Sequence, residues 1–196
     1  MKERQVEVAV IGAGTAGLVA LREVRNVTND FVLINKGPYG TTCARVGCMP
    51  SKALIQVAHD FHRRRQFGRE GILGSDGLAV DAAQAMRHVR ALRDHFAGGM
   101  VKRTERFGDR NIRGHARFVE PGVLDVDGQI VRARRVIIAA GSHPAVPDAW
   151  QALGERILTS DTIFEEETLP ASVAVIGLGV IGVELGQALA RLGGET

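Results

Sequence analysis

The sequence predicts an α/β fold with a parallel sheet, an antiparallel β-meander and the start of a second unit of the same kind. Three observations carry this expectation. A glycine fingerprint, Gly12-Ala13-Gly14-Thr15-Ala16-Gly17, stands between an apolar strand and a helix; the apolar period changes to two from Asn111; and a second fingerprint, Gly177-Leu178-Gly179-Val180-Ile181-Gly182, again opens a helix. Composition agrees, since 45% hydrophobic and 24% charged residues over a length of 196 are globular proportions that argue against a disordered tail.

The elements follow in order. Val6, Val8, Val10 and Ile11 form a short apolar strand, residues 18–27 a helix and residues 31–34 a second apolar strand. Two buried parallel strands joined by a helix make the right-handed unit of open α/β sheets. Residues 51–67 place Leu54, Ile55, Ala58 and Phe61 on one side of a helix, and a glycine-rich stretch over 68–77 ends it. Asp81 and Gln84 form a capping box for a further helix, whose Ala82, Ala85, Met86, Val89, Leu92, Phe96 and Met100 recur at core spacing. Residues 113–119 then read as a strand, and 123–126 with 129–131 as a hairpin, because Asp127-Gly128 supplies the positive φ of a type I′ turn. A last strand spans 135–140. Pro144 and Pro147 break regular structure over 142–148, which places one domain at 1–147 and the beginning of another at 148–196. In the latter, a strand over 172–176 leads through the second fingerprint into a helix over 183–192, and a following strand should begin near Glu195. One strand and one helix cannot close an open sheet, so this domain reads as unfinished.

Charge excludes more than it identifies. Lys plus Arg is 25 and Asp plus Glu is 22, and a net charge of +3 is too small to imply nucleic acid. The densest basic run, His62-Arg63-Arg64-Arg65, lacks interleaved aromatics and reads as a solvated helix face. The uncharged stretch 8–21 resembles a signal-peptide core, but Glu3 and Glu7 precede it and the first fingerprint lies inside it. Residues 170–183 are uncharged too, yet too short to span a bilayer and cut by glycines. No membrane partner is expected, and a cytoplasmic compartment follows by default.

In the first fingerprint, Gly12 permits the tight turn, Gly14 lets backbone approach a pyrophosphate, and Gly17 lets helix and strand pack closely. This points to a dinucleotide site, with a tight structural turn as the bland alternative. The acid expected at the end of the second strand is replaced by Asn35, whose neutral amide can bind a ribose hydroxyl less strongly than a carboxylate. The two cysteines both lie in Cys43-Ala-Arg-Val-Gly-Cys48. A disulfide closing so short a loop adds only about 2 kcal/mol, so redox chemistry is favoured over a staple, with two buried thiols as the alternative. Residues five apart on a regular helix have Cα atoms roughly 8 to 9 Å apart, beyond the ~7 Å that a disulfide tolerates. Closure therefore needs distorted backbone, which Gly47 can permit.

The segment Gly40-Thr-Thr-Cys-Ala-Arg-Val-Gly-Cys-Met-Pro-Ser-Lys52 resembles the redox-active signature of the class I pyridine nucleotide-disulfide oxidoreductases. Four further features match in order: the first fingerprint, Gly114-His115-Ala116-Arg117-Phe118, Ala139-Ala140-Gly141-Ser142-His143-Pro144, and the second fingerprint running into Glu184. The run through Leu189 resembles the dihydrolipoamide dehydrogenase branch more than glutathione reductase. The resemblance covers essentially the whole chain, but only about the N-terminal half of a typical member.

It implies a Rossmann-like FAD-binding domain followed by the start of a Rossmann-like NAD(P)-binding domain. Gly12, Gly14 and Gly17 would hold the FAD pyrophosphate with Thr42 close by, Asn35 would meet the adenosine ribose and Ala116 the adenine side, and Gly141 would belong to the same cofactor site. Cys48 would be the flavin-proximal thiol and Cys43 the thiol that exchanges with substrate. Lys52 would lie near the reactive edge of the flavin, paired with Glu184, and Gly177, Gly179 and Gly182 would seat the nicotinamide nucleotide. A cation there favours developing negative charge, and the acid limits the cost of burying it. The implied function is electron transfer between a dithiol substrate such as a lipoyl group and NAD, with NADP the other nucleotide; another disulfide or mercuric reductase, or a flavin-binding fragment, are the alternatives. A homodimer is expected of the full-length form, and no metal site.

This chain departs from the family pattern at three places: Thr41 stands for a glycine, Asn35 for an acid, and Ala140 for a threonine. Members also carry a later FAD-contacting Asp and a C-terminal dimerisation domain with a His-Glu acid-base pair. His59, His62, His88, His95, His115 and His143 stand outside that motif, and these 196 residues are not expected to turn over alone.

Overall fold

The computed structural model describes residues 3–194. Its contacts divide the chain into two compact units, one made of the described residues up to Cys43 with Phe96–His143, the other of Ala44–His95 with the described residues from Pro144 onward. No helix among the described residues is long and apolar enough to cross a membrane.

The first unit is built on six strands: β1 (Glu3–Ile11), β2 (Phe31–Asn35), β3 (Asn111–Arg113), β4 (Ala116–Glu120), β5 (Val123–Val126) and β6 (Gln129–Ile138), in the order β3-β2-β1-β6-β5-β4. β1 pairs in parallel with β2 and β6, and β2 with β3, whereas β4, β5 and β6 form the antiparallel meander. Both faces of the central strands are covered, which is why β2 reads as an unbroken apolar run. Val8, Val10, Phe31 and Leu33 pack with Leu21 of the helix α1 (Thr15–Val27), while Ala9, Val32 and Ile34 pack with Leu124, Val126 and Val131 of the meander. The Asp127-Gly128 turn has φ of +48° and +89°, as the type I′ reading requires.

Two strands differ from their expected bounds. The strand expected over 113–119 is interrupted at Gly114 and His115, leaving β3 to pair with β2 and β4 with β5. Gly114 sits where a Cβ would come within 2.7 Å of Val126 and 2.9 Å of Asp127, so the chain is pinned there. The segments expected over 129–131 and 135–140 are instead one strand, β6, which ends at Ile138 and is continuous because β1 pairs with it from Glu3↔Ile130 to Ile11↔Ile138, while Arg132 and Arg135 meet carboxylates on Glu3, Glu120 and Glu7.

The short helix α2 (Thr42–Arg45) carries the chain out of the first unit, and α4 (Ala82–Glu105) carries it back. Between them α3 (Cys48–Phe67) begins three residues before the expected start, with Gly47 as its N-cap and Pro50 in the first turn, where a missing N–H costs no helical bond. Asp81 caps α4 as expected, its carboxylate accepting the Gln84 N–H at 2.9 Å. In the second unit, Leu54 and Ala58 of α3, Met86 and Val89 of α4, Ile163, Phe164, and Leu185, Ala188 and Leu189 of α5 (Val180–Arg191) form one core. Leu92 and Phe96, expected in the core stripe, are exposed.

No strand forms over 172–176 among the described residues; only Ser172 makes an isolated bridge. A strand exists through its ladder, and Val173 instead packs against the helical core. The strand expected from Glu195 lies outside the described residues.

Candidate functional site

The first unit gathers the first fingerprint and Asn35. Gly12 has φ +105°, and a Cβ on it would lie 2.1 Å from the carbonyl oxygen of Ala139. A Cβ on Gly17 would lie 1.8 Å from the Gly12 carbonyl oxygen, so α1 can start this close to β1 only with glycine at both positions. The Gly12 N–H donates to the Ile34 carbonyl and the Ala139 N–H to the Ile11 carbonyl, both at 2.8 Å, so three strand ends converge under the loop. Gly14, the N-cap of α1, has open space where a Cβ would be. No side chain caps this helix and no acid stands in its first turn. Its leading N–H groups and the positive end of its dipole thus offer a cradle for a pyrophosphate.

Asn35 ends β2, and its Oδ1 accepts the Ala13 N–H at 3.0 Å. Its Nδ2 is buried without a partner. An orphaned donor beside an open glycine cradle fits a polar ligand at this loop and is costly without one. Elsewhere in this unit, Gly141 turns the chain after β6 with φ +77°, Ala116 opens β4 half-buried, and Thr42 opens α2 exposed. Thr41 is buried at φ +30°, a left-handed backbone that explains why the family pattern has glycine there. Cys43 is half-buried.

The second unit repeats the glycine geometry. Gly177 has φ +104°, Gly179 is the uncapped N-cap of α5, and a Cβ on Gly182 would lie 2.2 Å from the Gly177 carbonyl oxygen. The match to Gly12, Gly14 and Gly17 extends to the N-cap dihedrals, φ −77° and ψ −174° at Gly14 against φ −73° and ψ 175° at Gly179. The glycine-loop geometry thus forms even where the leading strand does not.

Cys48 is exposed at the first position of α3. Lys52, four residues on, donates from Nζ to Glu184 Oε2 of α5 at 2.7 Å, the pairing that the resemblance implies. Lys52, Ile55 and His59 on α3 face Glu184, Gln187 and Arg191 on α5 across a cleft of about 250 Å³. His59 and Arg191 were not singled out by motif, although their spacing of seven from Lys52 and Glu184 puts each two turns along the same stripe.

The pyridine nucleotide-disulphide oxidoreductase profile matches residues 6–196. The chain is 33% identical to dihydrolipoyl dehydrogenase of Trypanosoma brucei brucei over 97% of its length and 41% of the relative, and 33% identical to mercuric reductase of Serratia marcescens over 99% and 44%. It therefore spans about two-fifths of these relatives. Among solved structures, the HOCl-induced flavoprotein disulfide reductase RclA from Escherichia coli, in its Cu(II) complex, is similar in fold, with a TM-score of 0.79 at 21% identity over 97% of this chain and 41% of that one. The doubled glycine cradle, the mixed sheet and a profile match over nearly every residue agree, and the chain belongs to the pyridine nucleotide-disulphide oxidoreductase family.

Proposed function

We propose that this chain supplies the flavin-binding part, at 1–147, and the start of the nucleotide-binding part, from 148, of a flavin-dependent disulfide reductase that draws on NADH or NADPH. The observation that carries the reading is the Lys52–Glu184 pair, which joins the helix that starts at Cys48 to the helix that starts behind the second fingerprint. In this reading Gly12, Gly14 and Gly17 hold the pyrophosphate of FAD, Asn35 lies at its ribose, and Thr42, Ala116 and Gly141 line the same cofactor. Gly177, Gly179 and Gly182 seat the nicotinamide nucleotide. When bound, FAD supplies two-electron transfer between the nicotinamide and the cysteine pair. Cys43 and Cys48 alternate between disulfide and dithiol: the reduced pair gives two electrons and two protons to a substrate and closes its own S–S bond. Lys52 keeps a positive charge close to Cys48, and Glu184 holds it in place.

The relatives divide between dihydrolipoyl dehydrogenases and mercuric reductases at like identity, so a lipoyl dithiol oxidised with NAD stands as a second reading rather than the first. Either is proposed to act in the cytoplasm as a homodimer. The test is to titrate the purified protein with FAD and to count alkylatable thiols before and after NADH, NADPH or dithiothreitol. FAD uptake, with Cys43 and Cys48 labelling only after reduction, is expected; failure to take up FAD overturns the reading. In the full-length form, turnover of Hg(II) or a disulfide with NADPH, set against dihydrolipoamide with NAD, then separates the two readings.

A further inference from the structure

We propose that the cleft between α3 and α5 binds a small oxyanion of the phosphate class, held by Arg191 and His59, with Arg65 adding positive charge and His62 reporting on it. The cleft belongs to the second unit alone, and its role is separate from that of the glycine loops. Its charge is unbalanced. Glu184 is the carboxylate in the cleft wall, and Lys52 already occupies it at 2.7 Å. Of the other acids on or near these helices, Glu70 pairs with Arg63 at 3.1 Å, and Asp60, which accepts from the neutral Gln56 at 2.8 Å, keeps its charge but is outnumbered by Arg64, Arg65 and Arg191. Among the described residues no carboxylate pairs with Arg191, Arg65 or His59. The positive charge of Arg191 suits the C-terminal end of α5, but the helix dipole accounts for about half a charge and not for the whole cluster.

His62 reports the same excess. It is half-buried, its Nδ1 has no partner, and it is held below the ordinary imidazole value first by burial and then by Arg191, Arg65, His59 and Arg64. Arg64 is stacked on the Phe61 ring at 4.0 Å, which fixes its charge on this helix. A bound dianion would oppose all of these cations at once. Size narrows the ligand: about 250 Å³ is below the roughly 300 to 1,000 Å³ of sites for drug-sized molecules and suits a single phosphate group rather than a dinucleotide.

The test uses inorganic phosphate at constant ionic strength, with histidine ring signals followed by NMR across a pH titration. Phosphate is expected to raise the His62 pKa saturably, because an anion favours the imidazolium. Arg191→Gln should weaken phosphate by about tenfold, the scale of one lost charge-assisted hydrogen bond, and Arg65→Gln, which removes only a neighbouring charge, by about threefold. Lys102→Gln, which removes an exposed cation of the first unit, should leave it unchanged. Histidine pKa values that ignore phosphate overturn the proposal, as does equal weakening by Lys102→Gln, which would mean diffuse screening. Phosphate bound only at the glycine loops would be insensitive to Arg191→Gln and also overturns it. Displacement by succinate at matched concentration would overturn the phosphate class. If Arg191→Gln fails to fold, exposed Arg65 carries the test.

Discussion

Asn35 Oδ1 accepts the Ala13 backbone N–H at 3.0 Å, so the amide that replaces the family's acid is tied into the first glycine loop and presents a donor, Nδ2, with no partner. Asn35→Asp keeps the acceptor for Ala13 and exchanges the orphaned donor for a carboxylate oxygen. It should lower the stability of the FAD-free protein while strengthening FAD binding by about 1 kcal/mol, roughly fivefold. Asn35→Leu removes the acceptor and should cost about 1 to 3 kcal/mol of stability. Urea unfolding with and without FAD measures both.

Gly14 and Gly17 should separate ligand binding from folding. Gly17→Ala drives a Cβ to 1.8 Å from the Gly12 carbonyl oxygen and is expected to cost about 3 kcal/mol or to prevent folding. Gly14→Ala meets nothing within 4 Å, so its stability should fall by no more than about 1 kcal/mol. The added methyl group nevertheless occupies the cradle, and FAD affinity should drop about tenfold or more. Thermal melts paired with FAD titration distinguish the two outcomes.

The Lys52–Glu184 pair should contribute little to stability. Its side chains are 58% and 36% exposed, and pairs in that setting are worth about 0 to 1 kcal/mol. A double-mutant cycle with Lys52→Met and Glu184→Gln should return a coupling within that range. In a protein that turns over, Lys52→Met should still lower kcat by about tenfold or more, because a fixed positive charge near the reacting groups is worth far more in the transition state than in the fold.

Cys48 is exposed and Cys43 half-buried, which sets an order of reactivity. In reduced, FAD-free protein Cys48 should alkylate first. Saturation with FAD should slow Cys48 and spare Cys43, because the family resemblance makes Cys48 the flavin-proximal thiol. Peptide mapping after a short iodoacetamide pulse reads the order directly, and an unchanged order with FAD bound would count against that assignment.

His62 makes stability depend on pH in a known direction. Its folded-state value is depressed by burial and by Arg191, Arg65, His59 and Arg64, so the unfolded chain binds a proton more readily. Stability should be full above the unfolded value near 6.5 and should fall as pH drops through the folded value. His62→Gln should flatten this part of the stability-pH profile, measured by urea unfolding from pH 7.5 down to about 5.

Much of this chain was legible in its sequence because the requirement was local. Asp127-Gly128 announces its turn through two positive φ values. Gly12, Gly14 and Gly17, and again Gly177, Gly179 and Gly182, announce a loop in which a Cβ has no room or would fill a cradle. The capping of α4 by Asp81 and the apolar run of β2 belong to the same class. Tertiary structure alone decided where pairing starts and stops. Gly114 divides what looks like one strand because β3 and β4 have different partners, while β6 runs unbroken through Arg132 and Arg135 because its ladder with β1 is continuous and carboxylates from β1 and β4 meet the two arginines. Val173 and its neighbours have strand composition but no ladder, and a strand without a neighbour is only extended chain. The cleft is the furthest from the sequence, since Lys52 and Glu184 are 132 residues apart and His59 and Arg191 gain meaning only once α3 and α5 lie side by side. Backbone conformation is set by each residue and its immediate neighbours, whereas pairing and charge balance depend on which distant segments packing brings together.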